Sequence, residues 1–195
     1  MRKMIFSVII VVGVVAVALV GCKTSRSGYE SAPYQVVRTD GKFELRDYPA
    51  LTVVQTPMAR GGDGGDGSFM RLFRFISGSN EAKQKIAMTT PVFMSAGESN
   101  VTMAFVLPTR MKAGDAPKPT DASVNVSEMP AGRFAVLRFK GGRNARSEKE
   151  SLAKLQEWLA KEKLQSKSAP IYGYFDPPWT PGFWRRNEVM LMVEK

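Results

Sequence analysis

Between Met4 and Gly21 the chain carries no charged residue, and Val and Ile dominate the run. Arg2 and Lys3 stand just ahead of it. A positive start followed by an apolar stretch is the layout of an export signal. The stretch is also nearly long enough for a membrane-spanning helix. On either reading the first 21 residues are lost to a globular core. What remains has the length of one domain, able to close a core without disulfide staples. Cys22 is the only cysteine, so neither an internal disulfide nor a cysteine zinc cage can form.

The end of the run separates the two readings. Leu19-Val20-Gly21-Cys22 resembles a lipobox, in which small residues precede the cut and the cysteine thiol receives a diacylglycerol. Several acyl chains on one residue, palmitate among them, hold far better than one. The expected organisation is a signal peptide over 1–21, a lipidated N-terminus and polar tether over 22–33, and a folded domain over 34–195. An uncleaved anchor helix with an incidental cysteine is the alternative. Lys23 follows the cysteine, and the lack of an aspartate there points to the outer membrane of a bacterial envelope, the domain facing the periplasm. Removing residues 1–21 takes away two basic residues and no acidic one, which lowers the net charge from +10 to +8. Such a surface suits anionic lipid or an acidic ligand. Export argues against nucleic acid. A merely solubilising, dispersed charge is the other reading.

The chain has no histidine. That removes the commonest general base, zinc ligand and proximal haem ligand together. Serine and threonine nucleophiles lack their usual base, and there is no P-loop, dinucleotide fingerprint or acidic metal cluster. Asp47 with Glu188 is a conceivable acid–base pair only if the fold brings them together. The sequence therefore favours a binding protein over an enzyme.

Along the mature chain, Tyr34–Arg38 and Phe43–Arg46 read as strands around a Thr39-Asp40-Gly41 turn, with a third strand over Leu51–Thr56. Gly61 to Gly67 reads as a mobile loop; one copy is too few for a repeat-type calcium site. Ser68–Ile76 reads as a short helix with Phe69, Leu72, Phe73 and Ile76 on one face, stopped by Ser77-Gly78-Ser79-Asn80. Ile86–Met94 and Val101–Leu107 read as strands, 108–121 as a long loop, and Val124–Glu128 and Phe134–Phe139 as strands. Ser147 and Glu150 have capping-box spacing, and Leu152, Leu155, Trp158 and Leu159 carry a helix to about Leu164. Tyr172–Phe175 and Glu188–Val193 close the chain. Strands and a helix, then strands and a helix again, make an α+β domain of two similar halves.

Four blocks carry a more specific likeness. They are Tyr34 with Phe43-Glu44-Leu45-Arg46-Asp47-Tyr48-Pro49; Phe75 to Asn80 with Lys85 to Val92; Gly132 to Val136; and Tyr174 to Pro178 with Arg185-Arg186-Asn187-Glu188-Val189. In order and spacing they resemble the SOUL haem-binding protein family from about Tyr34 to Val193. The resemblance implies a distorted antiparallel β-barrel of two similar halves flanked by two helices. It also implies a shallow apolar groove beside the first helix for haem or another tetrapyrrole, held non-covalently and not needed for folding. Carried onto this sequence, Met70 and Phe73 become walls, and Arg74, or Arg71, a partner for a propionate; a guanidinium offers a carboxylate two parallel hydrogen bonds. Thr180 stands where some relatives have a second basic residue.

Each of these residues has a plainer reading. Phe69, Leu72 and Phe73 fit a packed core, the methionines fit flexible core filling, and Arg185-Arg186-Asn187-Glu188 fits a structural ion pair. Other amphipathic ligands (lipids, quinones, drug-like molecules) and a purely structural lipoprotein remain alternatives.

Overall fold

The Asp40-Gly41 turn joins the first long strand pair: Asp40 lies opposite Phe43, and Gly41 takes φ 57°, which a glycine adopts without strain. The computed structural model describes residues 28–59, 65–97, 101–177 and 179–194. Its strands are β1 Glu30–Ser31, β2 Gln35–Asp40, β3 Phe43–Tyr48, β4 Leu51–Pro57, β5 Thr89–Thr90, β6 Val92–Ala96, β7 Val101–Val106, β8 Asn125–Met129, β9 Gly132–Phe139, β10 Ile171–Tyr174 and β11 Asn187–Val193. Helix α1 spans Ser68–Ile76 and α2 spans Ala145–Lys161.

Nine strands form one antiparallel sheet in the order β2-β3-β9-β11-β10-β6-β7-β4-β8. The two halves are legible in that order. β4, α1, β6, β7 and β8 follow in sequence and lie as β6-β7-β4-β8. β9, α2, β10 and β11 repeat the pattern as β10-β11-β9, with β3 in the fourth place. The halves meet where β10 runs antiparallel to β6, Gly173 opposite Phe93. The sheet curls into a half-barrel: β2 and β8 are its ends and are not paired with each other.

Strand periodicity places a core on each face, because successive side chains point to opposite sides. Outside the curl, Leu155, Trp158 and Leu159 of α2 pack on Leu45, Ala135, Leu137, Val189 and Leu191. Likewise Leu72, Phe75 and Ile76 of α1 pack on Val54, Met94, Met103 and Phe105. The residues of opposite parity, Tyr48, Val53, Phe93, Val106, Phe134, Val136 and Met190, fill the inside. Methionines act as core filler in the cluster under α1 and on the inside of the sheet, while the cluster under α2 has none.

Several expectations need correction. The tether ends before residue 33: Glu30–Ser31 pairs in parallel with Thr89–Thr90, and the buried Ala32 donates its N–H to the Thr90 carbonyl at 2.8 Å. The strand expected over Ile86–Met94 is two short strands, divided at Pro91, which has no N–H for a ladder. Ile86 instead donates its N–H to the Ile76 carbonyl at 2.8 Å, closing the end of α1. Helix α2 starts at Ala145, so Ser147 is not its cap. Asn144 Oδ1 accepts the Ser147 N–H at 2.8 Å, and Glu150 meets Arg146 rather than reaching back. The helix stops at Lys161, where Lys163 turns to φ 56°.

Candidate functional site

Six of the nine residues of α1 are apolar, so the helix cannot bury them all against one sheet. Ser68, Leu72, Phe75 and Ile76 go inward. That turns Phe69, Met70 and Phe73 outward, 36%, 46% and 42% exposed. The expected core face of Phe69, Leu72, Phe73 and Ile76 is thus rotated, and only Leu72 and Ile76 of it are core. Phe69 leans its edge on Phe105 at 5.2 Å and stacks near-parallel with Phe73 at 6.1 Å. The result is an apolar strip lying open beside the sheet.

The two arginines of this helix have different employments. Arg71 braces the incoming chain: Nε donates to Thr56 Oγ1 at 3.0 Å, Nη1 to the Asp66 carbonyl at 3.2 Å and Nη2 to the Pro57 carbonyl at 2.6 Å. Asp66 caps the start of the helix from outside, accepting from the N–H groups of Ser68 at 3.0 Å and Ala59 at 2.6 Å. Desolvation pulls the Asp66 carboxyl upward, but these bonds and Arg71 outweigh it and hold it at about 2. The rest of the expected glycine-rich loop, 61–64, lies outside the described residues. Arg74, by contrast, is exposed and its guanidinium makes no hydrogen bond or ion pair among the described residues. It sits one turn past Met70, next to Phe73, on the rim of a cleft of about 190 Å³ lined by Arg71, Phe75, Ser79, Thr120, Asp121 and Val124. Hydrogen bonds from Ser123 hold Asp121 below the usual carboxylate range, with help from the charges of Arg71 and Arg74. Met70, Phe73 and Arg74 are all exposed on the outer side of α1, and Arg71, which lines the same cleft, is committed to Thr56, Pro57 and Asp66. Thr180 lies in the turn after β10, where its carbonyl accepts from Arg185 Nε at 2.7 Å. Cys22 lies outside the described residues.

A second polar group, on the inner face of the sheet, was not legible beforehand. Arg46 donates to both Glu188 oxygens at 2.7 and 2.9 Å, to Glu44 at 2.6 Å and to the Tyr48 hydroxyl at 3.1 Å. Its guanidinium lies over the Tyr34 ring at 4.2 Å. Arg186 also meets Glu188, at 2.6 Å, and Arg138 meets Glu44 at 2.9 Å. Burial alone would raise the Glu188 carboxyl, but Arg46 and Arg186 outweigh it and hold it below its ordinary value. Burial drives the Tyr48 hydroxyl upward. The sequence signal for it is the run of polar residues at alternate positions of β3, Glu44, Arg46 and Tyr48. Asp47, of opposite parity, faces away and pairs with Arg133 at 2.8 Å. Asp47 and Glu188 thus do not form an acid–base pair. The ion-pair reading of Arg186 and Glu188 holds. Among the described residues no group of three or more His, Cys, Asp or Glu side chains could hold a metal ion.

Over residues 29–192 the sequence matches the family described as SOUL heme-binding protein. It is 26% identical over 156 residues to Heme-binding protein 1 of Xenopus tropicalis, covering 75% of this chain and 81% of that protein. It is 28% identical over 172 residues to Heme-binding protein 2 of Homo sapiens, covering 83% and 82%. Among solved structures the fold is similar to the C-terminal domain of EcmrR, with a TM-score of 0.57 and 14% identity over 83% of this chain and 98% of that one. It is also similar to a hydrolase from Listeria innocua, with a TM-score of 0.61 and 10% identity over 81% and 94%. At such identities the two structures speak for the fold alone. The family match runs from the edge of β1 into β11 and takes in every residue of the two helices and nearly all of the three cores. The chain belongs to the SOUL heme-binding protein family.

Proposed function

We propose that this chain binds haem or a related tetrapyrrole on the outer face of α1, as a non-enzymatic protein held at the bacterial envelope through Cys22. The observation that carries the site is the pairing of an open apolar strip, Phe69, Met70 and Phe73, with the exposed cation of Arg74. A tetrapyrrole is a flat apolar ring bearing two carboxylates. The strip fits the ring, and Arg74 fits one carboxylate.

The cleft beside Arg74, at about 190 Å³, is smaller than the roughly 300–1,000 Å³ usual for a drug-sized ligand. Because the ionised Asp121 also lines it, a propionate would meet Arg74 at the rim, and the ring must lie on the surface beside it. Haem, if bound, would bring an iron able to accept a protein donor. The chain offers no histidine for that place, and the donor on this face is the Met70 sulfur. Affinity then rests on covering Phe73 and Met70 and on the Arg74 contact. An open face of this kind also suits other flat or acyl-chain carboxylates, which is the second reading.

Titrating haemin and metal-free protoporphyrin against the protein separates these. Comparable affinity for both is expected. Haemin binding tighter by about a hundredfold, or roughly 2.7 kcal/mol, would mean a true iron ligand and a different site. Binding of neither below about 100 μM, near −5.5 kcal/mol, would give the face to another amphiphile.

A further inference from the structure

The turn between β10 and β11 holds the most exposed large apolar side chains among the described residues. Trp179, Trp184 and Phe183 are 81%, 65% and 64% exposed. The α1 face makes no use of them. Scattered single apolar residues are ordinary on a surface, but three large rings in six residues mark a contact. The backbone that carries them is braced. Gly182–Trp184 is a 3-10 turn, Thr180 N–H donates to the Pro177 carbonyl at 3.0 Å, and Trp184 N–H donates to the Pro181 carbonyl at 2.9 Å. Gly141 N–H donates to the Gly182 carbonyl at 3.0 Å, and a Cβ at Gly182 would stand 3.3 Å from Gly142 N. Phe183 and Trp184 meet at 5.0 Å, 62° apart.

Cations flank these rings. Lys140 and Arg143 stand on either side of Gly141-Gly142, and Arg185 follows Trp184. The acids at this end are Asp176, which accepts from the Arg186 N–H, and Glu148, which meets Tyr174 and Arg143. The chain enters the fold at the same end: Arg186 Nη2 donates to the Tyr34 hydroxyl at 3.2 Å. Eight residue steps separate Cys22 from Glu30, so a fully extended connection reaches at most about 29 Å.

We propose that the Trp179–Trp184 turn is a membrane contact that seats in the headgroup layer of an anionic phospholipid bilayer. Tryptophan rings prefer that layer, apolar body inward and N–H toward water. The exposed Lys140 lies where a lipid phosphate would be, and Arg143 and Arg185, half-buried and bonded to Glu148 and the Thr180 carbonyl, add positive charge behind it. The anchor at Cys22 enters only through its reach: it keeps the turn near the bilayer, so a weak contact suffices.

The chain has three tryptophans, and the third, Trp158, is buried against Phe43. Trp179 and Trp184 therefore report on the turn in the full chain. The experiment reconstitutes that chain in vesicles of phosphatidylcholine and phosphatidylglycerol, with and without brominated acyl chains. The exposed-tryptophan emission should shift to the blue and be largely quenched by the brominated lipid, less so in phosphatidylcholine alone. The double variant Trp179→Ser, Trp184→Ser should keep its circular dichroism and lose the quenching. Phe183→Ser should keep both tryptophans and show weaker quenching. A chain that floats with the vesicles but shows neither shift nor quenching overturns the contact and leaves the anchor standing; a chain that does not float overturns both. Loss of haemin binding in the double variant, with no bromine quenching in the parent, gives the turn to the tetrapyrrole and overturns the membrane reading.

Discussion

The Arg46 guanidinium grips both oxygens of Glu188, at 2.7 and 2.9 Å, from a strand 142 residues away, and both side chains are essentially sealed from water. Removing one member of a buried, hydrogen-bonded pair leaves the other charge stranded, at a cost of roughly 3–5 kcal/mol. Arg46→Met should lose about that much in urea unfolding. The double variant Arg46→Met, Glu188→Gln should lose less than the sum of the two single changes, because the stranded charge is gone. Simple additivity would mean that the two residues are not coupled.

Stability should be flat across neutral pH and fall at both ends. The folded-state value of Glu188 lies below its ordinary 4.5, because Arg46 and Arg186 outweigh burial. Its contribution is complete above the unfolded value and is lost as pH falls through the folded one. Burial and the Glu148 charge push Tyr172 up to about 12, and Tyr174 moves the same way. Their contribution is complete below the ordinary tyrosine value of 10 and is lost as pH rises, for Tyr172 through about 12. With no histidine in the chain, Tm should hold steady between roughly pH 6 and 9. A step in Tm near pH 6.5 would contradict this.

The start of α2 allows a direct comparison of two caps. Asn144→Ala removes the acceptor of the Ser147 N–H and should cost about 1 kcal/mol. Ser147→Ala removes a hydroxyl that reaches only the Asn144 and Gly142 carbonyls, and should cost clearly less. Chemical unfolding of both variants settles the order. If Ser147→Ala is the more damaging, the helix starts where the capping-box spacing placed it.

What the sequence showed and what it hid follow from range. Asp40-Gly41 placed a hairpin because a turn is a local matter. The helices, and most strands to within a residue or two, were legible from periodicity. Arg46 was hidden because alternation in Phe43–Tyr48 marks a strand without saying which face is inner. Glu44 and Tyr48 stand two residues away on the same strand, but Glu188 on β11 and Tyr34, which complete the group, lie beyond any local pattern. The phase of α1 was hidden for a different reason. With six apolar residues in nine, both the Phe69–Phe73 face and the Leu72–Ile76 face satisfy helical spacing. The sheet decides, through Val54, Met103 and Phe105. Likewise Ser147 has a capping-box neighbour in Glu150, but Asn144 caps first.

Attachment through Cys22 is testable without the structure. If Leu19-Val20-Gly21-Cys22 is a lipobox, Cys22→Ser should abolish incorporation of a labelled fatty acid and leave a precursor larger by residues 1–21. Equal labelling of parent and variant would contradict the anchor reading and return the apolar run to an uncleaved helix.

The two faces of α1 should part company under mutation. Leu72 is fully buried, so Leu72→Ala opens a cavity and should cost roughly 2–5 kcal/mol of stability. Phe73 is 42% exposed, so Phe73→Ala should leave the fold much closer to its parent. In ligand binding the order reverses. A tetrapyrrole covering Phe73 gains the apolar area that water now touches, and its loss should weaken binding by roughly 1–3 kcal/mol. Arg74→Ala should weaken binding by less, roughly 0.5–1 kcal/mol, because a carboxylate met at the rim stays partly wet. Met70→Leu keeps the apolar contact and removes the sulfur, so haemin affinity should change little if no bond to iron forms. Paired measurements of urea unfolding and haemin titration on these four variants test the assignment as a whole. Phe73→Ala that unfolds the protein, or binds haemin as the parent does, would remove the outer face of α1 as the binding site.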